Sequence, residues 1–178
     1  MPIKKLGHVG IYAQDMAAMR AFYRDLIGLT VADETDNICF MSSHPEAEHH
    51  EFVLVRATTP EQHTSVQQIS FSCDGIEDIV GYYQRFKEHE VKFARVVSHG
   101  NAIGLYFFDP EGNQCEVYWT TPWQARQPYG IAVDLQQPLQ ELLSFVEADA
   151  QEFGATGHSD PESFKVQREQ FAREGIRV

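Results

Sequence analysis

The sequence predicts an α+β protein: two copies of a unit made of a strand, a helix and three more strands, followed by a helical tail. Three observations carry this reading. The stretch LGHVGIYAQD beginning at Leu6 and the stretch VQQISFSCDG beginning at Val66 share a pattern of alternating apolar residues closed by Asp, at an offset of 60 residues. The same offset of 60 places His8 on Gln68 and the pair Phe22 and Tyr23 on Tyr82 and Tyr83. Finally, SHGNAIGLYFFDPEGNQCEVYW, from Ser98 to Trp119, reads as a strand, a tight Asp-Pro-Glu-Gly-Asn turn and a second strand.

In the first copy, a strand is expected over 6–13, a helix from Met16 to Ile27 stopped by Gly28, and short strands near 29–34, 37–42 and 50–57. Met16, Met19, Phe22, Tyr23 and Leu26 recur at three- and four-residue steps, which gives that helix one core-facing stripe. The second copy repeats the order, with strands near 66–73, 91–97, 102–108 and 114–120. Its helix, from Ile76 to His89, carries Ile76, Ile79, Tyr82, Tyr83 and Phe86 on one face. The paired units, 4–60 and 64–123, form the body over 1–123, and 124–178 is a linker and helical tail. The proline-spaced run from Thr121 to Pro138 lies over the body, and an amphipathic helix with Leu139, Leu142, Leu143 and Phe145 follows as a dimer contact or a lid. A last helix starts near Asp160-Pro161, a cap followed by proline in the first turn.

With 178 residues, 43% of them hydrophobic, the chain can bury a proper core. The net charge of −12 argues against a nucleic-acid partner, whose backbone needs a basic surface. Cys39, Cys73 and Cys115 match no zinc spacing and are expected as reduced thiols. No apolar run is long enough for a membrane helix, and Met-Pro-Ile-Lys-Lys leads straight into the first strand. No membrane association and no signal peptide are therefore expected, and the compartment expected is the cytoplasm.

Glu116 stands alone among Cys115, Val117, Tyr118 and Trp119. A carboxylate in an apolar strand is costly unless a cation or donors meet it, so a metal ligand is one reading; a strand-end acid facing solvent is the other. His8 alternates in phase with Gly10 and Tyr12, and these share a face opposite Val9 and Ile11. His49 and His50 open the fourth strand of the first copy, and His99 precedes the third strand of the second. His44, His63, His89 and His158 suggest no role.

The two units, the pair Phe22 and Tyr23, and the run YFFDPEGNQCEVYW together resemble the vicinal oxygen chelate superfamily, which includes glyoxalase I, bleomycin-resistance proteins and type I extradiol dioxygenases. The resemblance covers residues 4–123 and is nearest to single-domain, catechol 2,3-dioxygenase-like extradiol enzymes. Its signature here is His99-Gly100, Tyr106, Phe107-Phe108-Asp109-Pro110, Gly112-Asn113 and Glu116. The resemblance implies that the units pair into a half-barrel around a cavity holding one divalent metal. It also implies His8 and Glu116 as ligands, with Gln68 at the position where extradiol enzymes carry a second histidine. Fe(II) is the implied metal, and the neutral carbonyl of Gln68 makes the harder Mn(II) plausible. In the glyoxalase I branch a glutamate on the last strand of the first unit completes the ligands; Glu51 would supply it, and nickel, zinc or cobalt would suit that site. Adjacent strand residues face opposite sides, so either His50 or Glu51 points inward, and the dioxygenase resemblance favours His50.

The roles so implied are acid and base for His99, a hydrogen bond to activated oxygen or the ring oxygen for His50, and orientation of the substrate hydroxyl for Tyr106. The implied partners are a small aromatic diol and dioxygen, with a second copy of the chain in a homodimer, and the implied role is ring opening in aromatic compound catabolism. Two alternatives stand beside this reading: a metal-dependent lyase or isomerase of glyoxalase I type, and a metal-free ligand-binding protein of bleomycin-resistance type. Retention of His8 and Glu116 speaks against the last.

Overall fold

The computed structural model describes residues 7–63, 66–123, 125, 129–153, 169–170 and 172–175. Leu6, Pro128, His158 and the start of the helix expected near Asp160-Pro161 lie outside the described residues, while 169–170 and 172–173 are helical.

The chain runs through β1 (Val9–Ala13), α1 (Met16–Ala21) continued by a wider π-helical turn (Phe22–Ile27), β2 (Thr30–Glu34), β3 (Ile38–Ser42) and β4 (Phe52–Arg56). It then forms β5 (Ile69–Cys73), α2 (Ile76–Glu88), β6 (Phe93–Ser98), β7 (Ala102–Phe108) and β8 (Gln114–Thr120), and continues with β9 (Ile131–Ala132) and α3 (Leu139–Phe153). Asp15 caps α1 by accepting a hydrogen bond from the Ala18 N–H at 3.0 Å. Gly28, at φ 95°, ends the π-helical turn in the left-handed conformation that costs glycine little. The stripes behave as expected: Met16, Met19, Phe22 and Tyr23 are buried, as are Ile76, Ile79 and Phe86.

Each copy folds into its own sheet, with strand order β1-β4-β3-β2 in one and β5-β8-β7-β6-β9 in the other. In both, the first and last strands of the unit pair in parallel: Val9 lies opposite Phe52 and Ser70 opposite Glu116. This corrects the expected half-barrel around a metal cavity. Both sheets are open, and among the described residues no ladder joins β1 to β5. A half-barrel requires continuous hydrogen bonding across that junction, and side chains occupy it instead. The Tyr23 ring lies 4.4 Å from Phe52 and 6.2 Å from Phe71. Its hydroxyl donates to Asp109 Oδ2 of the second unit at 2.9 Å, and the Tyr82 hydroxyl donates to the Ile27 carbonyl at 2.6 Å.

The segment expected as a linker contributes β9, which pairs antiparallel with β6. In α3, Leu142, Val146 and Ala150 are buried, whereas Phe145, assigned to the apolar stripe from sequence, is 50% exposed. No helix among the described residues is long and apolar enough to cross a membrane. The three cysteines are free thiols, and burial pushes Cys73 up to about 11 and Cys115 up to about 12. Neither is a thiolate at neutral pH.

The turn between β6 and β7 depends on Gly100, whose φ is +71° and whose missing Cβ would lie 2.3 Å from Ala125 Cβ. Both the backbone and the space demand glycine. Gly100→Ala is expected to cost about 2–4 kcal/mol in urea unfolding, from the left-handed backbone and overpacking together. An unchanged midpoint would contradict the close packing of this turn against Ala125.

Candidate metal centre

Period-two alternation sorts β5 and β8 into two faces. Ile69, Phe71, Cys115 and Val117 point toward the helices and join the core. Gln68, Ser70 and Glu116 fall on the opposite face. There the Ser70 hydroxyl donates to Glu116 Oε2 at 2.6 Å. Gln68 Nε2 donates to the same oxygen at 3.2 Å and to Ser70 Oγ at 3.0 Å. Glu116 is only 6% exposed. Its other oxygen lies against Gly104 of β7, where a Cβ would come within 2.2 Å of Oε1.

Tyr106, directly opposite Glu116 in the ladder, is pushed up to about 12, first by burial and then by the Glu116 carboxylate. The Arg95 guanidinium sits 4.4 Å over its ring and opposes that rise. His99 completes the cluster. Its Nε2 lies 3.1 Å from the Tyr106 hydroxyl, and its Nδ1 lies 2.6 Å from the Tyr129 carbonyl. A groove of about 440 Å³ is lined by Ser70, His99, Tyr106 and Glu116.

His8 belongs to the other sheet. It is exposed, on the face opposite Ile11 and Ala13, and its ring centroid is 4.7 Å from that of His50. His50 also packs on Phe40 at 5.0 Å, and its Nδ1 is 2.9 Å from His49 Nδ1. The Glu51 carboxylate instead accepts hydrogen bonds from the backbone N–H and the hydroxyl of Ser43. The structure thus gathers the assigned residues into two groups: Gln68, Tyr106, His99 and Glu116 on the second sheet, and His8 with His50 on the first. A cavity of about 520 Å³ between the sheets is lined by His8, Glu51 and Ser70. Ser70 therefore borders both spaces. Among the described residues no three His, Cys, Asp or Glu side chains group tightly enough to hold a metal.

Four contributors escaped the sequence reading. Ser70 was within reach, since it stands two residues from Gln68 on the same face. Gly104 carried a usable signal, because an isolated glycine inside a strand often marks a close approach. Arg95 and Tyr129 reach the site through tertiary packing alone.

The His99 environment predicts a pH dependence. Burial lowers its pKa from the ordinary 6.5, with Arg95 adding to the effect and Glu116 opposing it. The unfolded chain then binds more protons than the folded one as pH falls through 6.5. This contribution to stability is complete above that value and declines below it. Denaturant unfolding between about pH 7.5 and pH 5 should show a decline that flattens in His99→Gln. Parallel declines in both proteins would refute it.

Comparison with known proteins places the chain in a family. The sequence pattern of the Glyoxalase/Bleomycin resistance protein/Dioxygenase superfamily matches residues 5–117. Biphenyl-2,3-diol 1,2-dioxygenase 2 of Rhodococcus globerulus is 24% identical over 148 residues, covering 73% of this chain and 77% of the relative. Biphenyl-2,3-diol 1,2-dioxygenase 3 of the same organism is 26% identical over 120 residues, covering 64% of this chain and 62% of the relative. Among solved structures, lactoylglutathione lyase from Agrobacterium tumefaciens superposes with a TM-score of 0.55 at 22% identity, covering 67% of this chain and 96% of its own. The fosfomycin resistance protein FosX from Listeria monocytogenes does so with a TM-score of 0.54 at 16% identity, with coverage of 67% and 96%. These likenesses extend to the fold, and the match over 5–117 settles the kinship: the chain belongs to the Glyoxalase/Bleomycin resistance protein/Dioxygenase superfamily.

Proposed function

We propose that this chain is a metal-dependent enzyme of lyase or isomerase type, in which His99 and Tyr106 move and hold protons on a substrate that presents two neighbouring oxygens. The observation that carries the reading is Gln68. Its amide stands at the position where ring-cleaving relatives need an imidazole, and it already bonds Glu116 and Ser70 through Nε2. Glu116 and Gln68 suit a divalent ion, and His8, on the other sheet, would have to be brought to them. Glu116 is a buried carboxylate with no ion-pair partner among the described residues, a costly state that a cation would relieve. With Nε2 engaged, the amide oxygen of Gln68 is the atom left to coordinate. His8, Gln68 and Glu116 would hold the ion, an oxygen-rich set that suits manganese or another hard divalent metal as well as iron.

When bound, such an ion polarises the substrate oxygens and acidifies the adjacent proton. The protein supplies the rest. Burial keeps His99 neutral near pH 7, so Nε2 can accept a proton. Tyr106, with its pKa near 12, stays protonated and serves as a hydrogen-bond donor. Tyr106 is itself only 4% exposed, which limits water around its hydroxyl.

A second reading, extradiol cleavage of an aromatic diol with Fe(II) and dioxygen, has its own support: both curated relatives described above are biphenyl-2,3-diol dioxygenases. It would use His50, His99 and Tyr106 in the roles assigned from sequence. One experiment separates the readings. Protein loaded in turn with nickel, cobalt, manganese and iron is assayed anaerobically on the glutathione hemithioacetal of methylglyoxal, and in an oxygen electrode on 2,3-dihydroxybiphenyl. Turnover without oxygen is expected. Oxygen consumption with a yellow product on iron alone would overturn the first reading in favour of the second.

A further inference from the structure

The strand β9 lies along the edge of β6, with Ser98 opposite Ile131 and Val97 opposite Ala132. This pairing delivers the preceding Tyr129 carbonyl to within 2.6 Å of His99 Nδ1. A carbonyl oxygen only accepts, so Nδ1 must carry the hydrogen. A neutral imidazole has one N–H, and Nε2 is therefore left as a lone pair. The Tyr106 hydroxyl lies 3.1 Å from this lone pair and also faces the Glu116 carboxylate, so its one hydrogen has two acceptors, Nε2 and Glu116. The fixed link is the bond from His99 Nδ1 to the Tyr129 carbonyl, which leaves Nε2 turned toward the Tyr106 hydroxyl.

We propose that Tyr129 is the positioning residue of this site: its main-chain carbonyl, brought in by the tail strand, locks His99 into the tautomer whose Nε2 faces the groove as a proton acceptor. The tail is thereby part of the catalytic apparatus, beyond the lid or dimer contact expected of it. Gly130 leaves room beside the imidazole. A Cβ there would meet Val97 Cγ1 tightly at 3.1 Å and already touch His99 Nδ1 at 3.4 Å, so the branched side chain of a valine would crowd the imidazole. The fixed hydrogen bond on one ring nitrogen sets which nitrogen does chemistry, as a partner on the distal nitrogen does for metal-bound histidines.

The inference rests on the reading of His99 as the acid–base group, yet its first test needs no substrate. In protein labelled with nitrogen-15 histidine, the His99 signals, assigned by their loss in His99→Gln, should show a single tautomer with a protonated Nδ1 and an unprotonated Nε2. An Nε2–H tautomer, or shifts averaged between the two forms, would overturn the proposal. In Gly130→Val the averaged pattern should appear, with kcat falling about 10–100-fold and KM little changed. An unchanged tautomer in Gly130→Val would overturn it as well, and circular dichroism checks that the variant is folded. If the Nδ1–H tautomer is found in the parent but His99→Gln retains full turnover, the positioning holds and the acid–base reading fails.

Discussion

Gly104→Ala is expected to weaken divalent-metal binding by about a hundredfold while leaving the protein folded. The added Cβ would sit 2.2 Å from Glu116 Oε1, 3.2 Å from Glu116 Cδ and 3.1 Å from Tyr106 Cε2, so the carboxylate must swing away. That motion breaks the bonds from Ser70 at 2.6 Å and Gln68 at 3.2 Å, which hold the ligand set in register. The obstructed atoms belong to side chains, so the stability cost should stay within about 1–3 kcal/mol. Gly81 in α2 is the matched control: a Cβ there meets nothing within 4 Å. Gly81→Ala should leave metal affinity untouched and raise stability by about 0.5–1 kcal/mol, since alanine suits a helix interior better. Calorimetric titration with manganese(II) or cobalt(II) reads the affinity. Equal affinities in Gly104→Ala and the parent would mean that the Glu116 carboxylate is not a ligand.

This dependence on Gly104 shows where sequence reasoning reached and where it stopped. Glu116 was legible because an acid among Cys115, Val117 and Trp119 contradicts the local pattern, and a contradiction of that kind is informative. His8 and Gln68 were legible through the repeat, since an offset of 60 residues makes equivalent positions visible without any structure. The stripes of α1 and α2 were read correctly for the same reason, periodicity being local, whereas in α3 Phe145 was placed on the wrong face. What the two sheets do to each other is not local. Whether β1 and β5 share hydrogen bonds depends on the Tyr23, Phe52 and Phe71 rings meeting between the units, and nothing within either strand records that contact. The half-barrel expectation came from kinship and failed at that junction. Tyr129 illustrates the same limit at the scale of one residue. It acts through a main-chain carbonyl, which every residue possesses, so its side chain gave no sign of the role.

Gln68→His should raise Fe(II) affinity by at least about tenfold, or 1.4 kcal/mol. The substitution exchanges one neutral donor for another, so the formal charge of the site does not change. What changes is the donor atom, a borderline imidazole nitrogen in place of an amide oxygen, which favours iron over harder ions. The imidazole keeps one N–H, enough to replace one of the two bonds that Gln68 Nε2 makes to Ser70 and Glu116. Competition titrations against a colourimetric chelator would give the ratio of iron to manganese affinity. An unaltered ratio would place Gln68 outside the ligand set and remove the main support for the lyase reading. If the ratio rises and the variant, but not the parent, consumes oxygen with 2,3-dihydroxybiphenyl, then the amide is what holds this chain away from ring-cleaving chemistry. His99 and Tyr106 would then be competent for either reaction, because proton transfer next to a polarised oxygen is common to both.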